Sequence, residues 1–320
     1  MDLFNVFNQD FRLPLISDLS KLLPGKIDQP EKILVISDIH ANIFALKAVF
    51  EDAQGKYDAI WFLGDLLGYG PYPELCCDFF LNHMQQITKW IPGNHDLGVM
   101  DCSQTVGGLQ QSDVARATWN IHYKELSNNE NLKNRYISLL EQTKHIENGQ
   151  NDKFMYTLVH ANPRTPAGEY LYPNEGYKQL EALKIGFNIS QNGHHAQWLL
   201  VGHSHMVFLT SLPLNDELPH MVSLQYGKPI SISQGKYIIN PGSVGLPRDG
   251  DPRASYAILD QSQGLITFYR VKYPIESLYP DMEGYPNVLI ENFRTGRVSE
   301  TWRWDWAYTR EDFGHGIIAR

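Results

Sequence analysis

The chain lacks the features that mark several protein classes. Its three cysteines, adjacent at 76 and 77 and single at 102, are odd in number and irregular in spacing, which argues against a disulfide framework and fits a reducing compartment. No segment approaches the ~18 consecutive apolar residues of a membrane-spanning helix. The first ten residues have neither the basic start nor the apolar core of a signal peptide. We therefore expect a cytoplasmic protein that does not engage a membrane.

Basic residues are also few. The chain has 27 Lys and Arg against 36 Asp and Glu, a net charge of -9. A protein that follows the phosphate backbone of a long duplex needs basic stripes, so we expect no long duplex nucleic acid as a partner. With 42% hydrophobic residues in 320, the chain can bury a large core, as one big domain or one domain with appendages.

Five short polar motifs are present instead, each after a short apolar run. They are Asp38-Ile39-His40, Gly64-Asp65, Gly93-Asn94-His95-Asp96, Val159-His160 and Gly202-His203-Ser204-His205. The preceding runs are rich in β-branched and aromatic residues, which is typical of buried strands. Because ligands of layered α/β proteins bind at the carboxyl ends of strands, we expect the five motifs to form one polar site.

The motifs contain enough ligands for more than one metal ion. The seven candidate metal ligands are Asp38, His40, Asp65, Asn94, His160, His203 and His205. Imidazole suits Zn, Fe, Ni and Cu, while carboxylate and amide oxygens suit harder ions such as Mn. One ion rarely needs seven protein ligands, whereas two ions that share a carboxylate would use them. Unrelated polar residues at strand ends would account for any one motif, but not comfortably for all five.

In their order, these motifs resemble those of the calcineurin-like metallophosphoesterase family. That family has Asp-x-His, Gly-Asp, Gly-Asn-His-Asp/Glu, a single His after a strand, and Gly-His-x-His. Two more stretches, 64–71 and 240–248, look like the bacterial branch of small phosphoesterases. The resemblance covers about residues 31–274. It implies an α/β fold, a four-layer α/β/β/α sandwich in which helices flank two central β-sheets.

The resemblance also implies a metal site for phosphoester hydrolysis. One metal would be held by Asp38, His40 and His205, the other by Asn94, His160 and His203, with Asp65 and a hydroxide bridging the two. Such a hydroxide would attack the phosphorus, since metal-bound water loses its proton near neutral pH. We expect two divalent transition-metal ions, and the mixed ligands do not choose among Mn, Fe, Zn and Ni.

Other residues of the motifs and their surroundings are candidates for contact with substrate. The resemblance implies that His95 is the catalytic acid or electrostatic donor. Asp96 would either orient His95 or cap the following helix, and both interpretations stay open. For substrate binding we predict Arg164 and Arg248, which would pair with phosphoryl oxygens, and Tyr69, which would either line the pocket or serve only in packing.

One departure from the family narrows the range of substrates that we expect. Where the Ser/Thr phosphatase branch has an Asp that orients the catalytic His, followed by an Arg that binds phosphate, this chain has Gly68 and Tyr69. We therefore predict a metal-dependent phosphoesterase that acts on a small-molecule or nucleotide phosphodiester. The alternatives are a phosphomonoesterase, including a protein phosphatase, or a protein-binding scaffold that uses the same fold.

The motif spacing also predicts the organisation of the chain. We expect an N-terminal arm at 1–30, a metallophosphoesterase domain at 31–275 with a helical insert at 97–153, and a C-terminal extension at 276–320 that packs on the domain. Helices are predicted at 42–54, 73–86, 113–126, 131–142 and 177–185. Ser127-Asn128-Asn129-Glu130 reads as a capping box for the fourth of them.

The C-terminal extension is predicted to contain a β-hairpin. Its strands would be 287–290 and 298–308, on either side of a turn at 294–297. The aromatic residues that would share one face of the second strand are Trp302, Trp304, Trp306 and Tyr308. This face would pack on the main domain or form the contact of a homodimer, because aromatic residues are enriched in interface cores.

Overall fold

The computed structural model describes residues 23, 25, 30–101, 105–150, 153–187, 196–213 and 218–298. The helices are α1 (Ile43–Ala53), α2 (Pro73–Asn82), α3 (Asn94–Asp101), α4 (Asp113–Ser127), α5 (Glu130–Gln142), α6 (Gly176–Gly186) and α7 (Val288–Thr295), with a short 3₁₀ helix at Ile275–Asp281. The strands are β1 (Lys32–Ile36), β2 (Ala59–Phe62), β3 (Ile87–Trp90), β4 (Thr105–Val106), β5 (Leu109–Gln110), β6 (Ile146–Gln150), β7 (Phe154–Val159), β8 (Ala196–Leu200), β9 (Val207–Leu212), β10 (His220–Met221), β11 (Ile230–Ser231), β12 (Lys236–Pro241), β13 (Ala254–Asp260) and β14 (Leu265–Val271).

Two six-stranded mixed sheets form the centre of the fold. The first has the strand order β11-β14-β13-β1-β2-β3, and the second has β10-β9-β12-β8-β7-β6. Strands β1, β2 and β3 are parallel to one another, as are β7, β8 and β12. Each of these parallel strands except β12 leads directly into one of the five polar motifs. The loops after the two sheets meet, because Asp38 of the first accepts hydrogen bonds from the backbone N–H of His203 of the second.

Alternating side chains of the strands separate the layers. Ile33 and Val35 of β1 face the second sheet in a core shared by both sheets. Leu34 and Ile36 face the opposite way, into a core shared with α1, α2, α4 and α5. A third core lies between the second sheet and α6. Burying each such aliphatic side chain contributes ~1.5–3 kcal/mol. The four-layer α/β/β/α sandwich is confirmed.

The helices lie close to their predicted positions, but the predicted N-cap of α5 is wrong. All five predicted helices are present as α1, α2, α4, α5 and α6. The predicted capping box is wrong, because α4 continues through Ser127, whose hydroxyl donates to the carbonyl of Tyr123. The N-cap of α5 is Asn129, whose side chain accepts a hydrogen bond from the backbone N–H of Leu132 at 3.2 Å. The N-cap of α5 therefore lies two residues later than the capping box requires.

The predicted strand at 287–290 is wrong. These residues lie at the start of α7, in which Leu289, Asn292 and Phe293 are buried at helical spacing. The helix ends at Gly296 in the left-handed conformation, with a φ of 65°. Apart from Val298, the predicted second strand and its aromatic residues lie outside the described residues, as does almost all of the N-terminal arm. The homodimer contact stays a prediction. None of the helices in the described part of the chain is long and apolar enough to span a bilayer.

Candidate metal centre

Strained loops carry most of the predicted metal ligands. Five of the seven adopt left-handed backbone conformations, with φ values of 54°, 51°, 61°, 62° and 56° at Asp38, His40, Asp65, His203 and His205. Such conformations cost about 1–3 kcal/mol each in non-glycine residues and cluster at functional sites. Hydrogen bonds between the loops hold them in place, for example from the backbone N–H groups of Ile39 and His40 to the carbonyl of Asp65.

The structure brings the seven predicted ligands together at the edge where the parallel strands end. Their atoms form two groups, each within 4.8 Å: Asp38, His40, Asp65 and His205 in one, and Asp65, His160 and His203 in the other. All of these side chains are buried. The carboxylate of Asp65 belongs to both groups. The amide Oδ1 of Asn94 lies 3.2 Å from Nε2 of His160 and thus adjoins the second group.

Backbone carbonyls orient the four imidazoles of the cluster. The contacts are His40 Nδ1 to Leu67 O (2.8 Å), His160 Nδ1 to Leu63 O (2.7 Å), His203 Nε2 to Gly168 O (2.9 Å) and His205 Nδ1 to Leu246 O (2.5 Å). Since a carbonyl only accepts, the contacting nitrogen carries a proton, and in the neutral imidazole the other nitrogen keeps its lone pair. This arrangement of the outer hydrogen bonds is typical of histidine metal ligands.

Buried acceptors without donors show that the cluster fits cations. The Nε2 atoms of His40 and His205, both lone-pair nitrogens by this assignment, are 3.0 Å apart. Oδ2 of Asp65 is buried and faces Nε2 of His160 at 3.2 Å. Lone pairs that face one another in a buried site repel unless a proton or a metal ion lies between them. The donor set of imidazole, carboxylate and amide suits divalent transition metals.

Burial and neighbouring charges also shift the pKa values of the residues in the cluster. Burial raises the pKa of Asp38 to about 6 and also raises the pKa of Asp65. Burial opposes protonation of His160, but the charges of Asp65 and Asp38 outweigh it and raise the pKa of His160 to about 9. Among the four imidazoles, His160 is thus the one that binds a proton near neutral pH when no metal is bound, since burial lowers the pKa of His40, His203 and His205 well below the ordinary value.

His95 lies against the cluster and is held by a residue that the sequence did not reveal. Its ring centroid is 4.9 Å from that of His40 and 4.3 Å from that of Tyr69. Nδ1 of His95 accepts a hydrogen bond of 2.8 Å from the indole Nε1–H of Trp119 on α4. Burial lowers the pKa of His95 well below its ordinary value, so the ring is neutral.

Asp96 does not orient His95. This finding corrects one of the two interpretations of Asp96 that the sequence left open, and with it the predicted catalytic role of Asp96. Its carboxylate accepts five hydrogen bonds, from the backbone N–H groups of Asp65, Leu66, Leu67 and Gly93 and from the hydroxyl of Tyr136. The bond from Gly93, the residue before α3, is a capping interaction at the start of that helix. Asp96 thus ties the loop of Asp65 to α3.

The helical insert supplies further contacts behind the ligands. Gln111 accepts a hydrogen bond of 3.1 Å from Nδ2 of Asn94, and its own amide donates to the carbonyls of Val106 and Leu109. These bonds direct Oδ1 of Asn94 toward His160. The ring of His122 on α4 contacts Gly68 N at 3.0 Å and Gly70 O at 2.7 Å. The only sequence signal for these contacts is the buried face of α4, which includes Trp119 and His122.

The three predicted substrate-binding residues differ in where they lie. Arg164 is half exposed and forms an ion pair with Glu181 on the surface, which argues against its predicted contact with phosphoryl oxygens. Arg248 is buried, with its guanidinium 5.4 Å from the ring centroid of Tyr69. The charge of Arg248 lowers the pKa of His95, after the larger effects of burial and of His40. Arg248 and Tyr69 therefore adjoin the metal cluster.

Comparison with known proteins agrees with this geometry. The family model for calcineurin-like phosphoesterases matches residues 31–207, more than half of the chain. The chain belongs to the calcineurin-like phosphoesterase family. Members of this family are metal-dependent phosphoesterases, and the Asp and His cluster described above could bind their divalent metals.

Three similar proteins illustrate the relationship. An uncharacterized protein of Methanocaldococcus jannaschii is 34% identical over 273 residues, which are 83% of this chain and 98% of that protein. A metallophosphoesterase structure from Sphaerobacter thermophilus is 33% identical, with a TM-score of 0.63 over 84% of this chain and 100% of that one. A symmetrical bis(5'-nucleosyl)-tetraphosphatase of Psychromonas ingrahamii is 33% identical over 88 residues, 27% of this chain and 32% of that protein.

Proposed function

We propose that the protein hydrolyses a small phosphodiester or a nucleotide with the help of two divalent transition-metal ions. The observation that carries the proposal is the pair of buried ligand groups that share Asp65. In this proposal one ion is held by Asp38, His40 and His205, the other by Asn94, His160 and His203, and both by Asp65.

The residues around the cluster have distinct tasks in the proposed reaction. Bound there, the two ions would make a water molecule acidic and offset the negative charge of the phosphoryl oxygens. Asp65 would set their separation, because its one carboxylate serves both groups. Arg248 would bind a phosphoryl oxygen through its guanidinium, and Tyr69, in contact with both Arg248 and His95, would shape the pocket. His95 would donate a hydrogen bond to a substrate oxygen.

The number of cationic groups favours a phosphodiester over a phosphomonoester. With Arg164 paired to Glu181 on the surface, Arg248 supplies the guanidinium beside the cluster in the described part of the chain. A phosphodiester group carries one negative charge and a phosphomonoester two near neutral pH, so one guanidinium beside the metal ions suits the smaller charge of the diester. The partial match to a bis(5'-nucleosyl)-tetraphosphatase supports a nucleotide whose phosphates are joined by anhydride bonds, since its inner phosphoryl groups are also disubstituted.

The first test compares substrates. We would strip the protein of metal, restore Mn²⁺, and measure hydrolysis of a bis-nitrophenyl phosphodiester, the matching monoester and a symmetrical dinucleoside tetraphosphate. We expect turnover only with metal, and faster turnover of the diester or the tetraphosphate than of the monoester. A preference for the monoester would contradict the substrate class. Two bound metals without turnover of any phosphoester would favour a scaffold.

Two variants test the assigned residues. Asp65→Asn should abolish turnover while the fold persists, because an amide cannot serve both ions as a carboxylate does. Arg248→Ala should lower kcat/KM by about 10²-fold or more, since charge-assisted bonds to phosphate are strong. Arg164→Ala, its matched control, should keep wild-type kinetics because its guanidinium is paired outside the site. Equal effects of the two arginine variants would contradict the assignment of Arg248.

A further inference from the structure

The hydrogen bond between Trp119 and His95 has a direction that matters for the proposed chemistry. The indole Nε1–H of Trp119 donates and has no acceptor function. Nδ1 of His95, 2.8 Å away, must therefore present its lone pair to Trp119. In the neutral ring, the proton then lies on Nε2, on the opposite side of the imidazole. A carboxylate in place of the indole would have the opposite effect, because it would accept a hydrogen bond from Nδ1 and so keep the proton on that nitrogen.

Packing around this pair leaves no room for an orienting acid. Gly68 occupies the loop position where an Asp was missing from the sequence, and a Cβ there would overlap Nδ1 of His95. A Cβ at Gly98 of α3 would likewise overlap the ring of Trp119. Trp119 and His95 are both buried and their rings meet edge to face, with centroids 5.5 Å apart. The two glycines thus open the space that the pair fills.

The backbone of His95 is held independently of its ring. Its N–H donates to Oδ1 of Asp65 at 2.8 Å, so the main chain is tied to the proposed bridging carboxylate. The remaining freedom is that of the side chain, and Trp119 supplies the hydrogen bond that defines it. The ring contacts of His95 with His40 and Tyr69 restrict its position but do not select a tautomer.

We propose that Trp119 is a positioning residue that fixes the tautomer of His95, so that His95 presents an Nε2–H donor to the substrate. This inference rests on the proposed phosphoesterase function for its kinetic consequence, but the tautomer itself does not depend on activity. The helical insert then does more than cover the site. Through Trp119, its helix α4 determines which ring nitrogen of His95 carries the proton and can donate to the substrate.

The tautomer is measured directly by ¹⁵N NMR of the Zn²⁺-loaded protein with labelled histidine, with the His95 signals assigned from a His95→Asn variant. We expect a protonated Nε2 and an unprotonated Nδ1 in the wild type, and a mixture of tautomers in Trp119→Phe. A protonated Nδ1 or a mixture in the wild type would overturn the proposal. This readout holds even if the protein hydrolyses no phosphoester, so the failure of the proposed function is distinguishable. It also decides the matter if Trp119→Phe does not fold.

Kinetics of the same variant provide the second readout. Trp119→Phe should lower kcat by at least about 10-fold, as for other lost outer hydrogen bonds, with KM changed less than about twofold. The matched control is Trp198→Phe, which removes an equally buried indole hydrogen bond, to Ile232 O at 2.8 Å, in the core between the sheets. The control should keep the wild-type kcat. A wild-type kcat in Trp119→Phe, or an equal loss in both variants, would refute the positioning role.

Discussion

Asp96→Asn is the sharpest test of how the metal loops are built. The substitution keeps the size of the side chain but replaces one carboxylate oxygen with an NH₂ group. Oδ2 of Asp96 accepts from the N–H groups of Asp65 and Gly93, and Oδ1 accepts from Leu66, Leu67 and the Tyr136 hydroxyl. Whichever way the amide turns, at least two buried backbone N–H groups face another donor.

The expected loss of stability follows from these contacts. A buried donor left without an acceptor costs about 1–3 kcal/mol, so two of them cost about 2–6 kcal/mol. Folded domains are stable by only about 5–15 kcal/mol in total, and the effect should be plain in urea unfolding. Burial and the neighbouring charge of Asp65 raise the pKa of Asp96 to about 6, so the wild-type comparison belongs at about pH 8, where the carboxylate is ionised.

The assay compares Asp96→Asn with Tyr136→Phe, which removes one hydrogen bond to Asp96 and leaves no N–H group without an acceptor. Tyr136→Phe should cost about 1.5 kcal/mol in the free energy of unfolding, clearly less than Asp96→Asn. We also expect Asp96→Asn to weaken metal binding, because the Asp65 loop loses its anchor. An unchanged unfolding midpoint with a loss of kcat alone would refute this reasoning and restore a catalytic role for Asp96.

Three further predictions concern the surroundings of the metal centre. Gln111→Ala should weaken metal binding by about 10–100-fold in a chelator competition, because the amide of Asn94 loses its orientation, whereas Gln110→Ala, at an exposed neighbour, should not. Burial lowers the pKa of His122 to about 4, below the ordinary 6.5, so its stabilisation is complete above pH 6.5 and is lost as the pH falls toward 4. The wild type should therefore lose about 2 kcal/mol more stability than His122→Gln between about pH 7.5 and 5, and equal losses would contradict the burial argument. Protons should already compete with metal at His160, whose pKa is about 9 in the metal-free cluster, and more steeply below about pH 6, where Asp38 also binds a proton; metal affinity measured by calorimetry that stays constant from about pH 7 to 5 would contradict it.

Local patterns in the sequence were sufficient to locate the cluster. Short apolar runs identify β1, β2, β3, β7 and β8, and each is followed at once by a motif. Parallel strands in a sheet end at the same edge, so residues far apart in sequence must meet there. The physical basis is short-range, since strand periodicity and the polar residues that follow lie within about ten residues of one another.

Sequence patterns failed where a residue's task depends on a distant partner. Arg164 and Arg248 have equal chemistry, yet one pairs with Glu181 at the surface and the other lies buried beside Tyr69. Residues 287–290 allow a strand by composition, but packing of Leu289 and its neighbours on the domain makes them helical. In each instance tertiary contacts outweigh a local preference that is worth less than a kcal/mol per residue.

The sequence by itself determined the order of the strands' polar ends, the ligand types that meet there and hence the family and its chemistry. Only the tertiary structure decided what surrounds those ligands. Trp119 reaches His95 across 24 positions of the chain and Tyr136 reaches Asp96 across 40. Such hydrogen bonds leave no periodic trace in the sequence, because one buried donor in the right place is enough and its position is set by how α4 and α5 pack against α2 and α3.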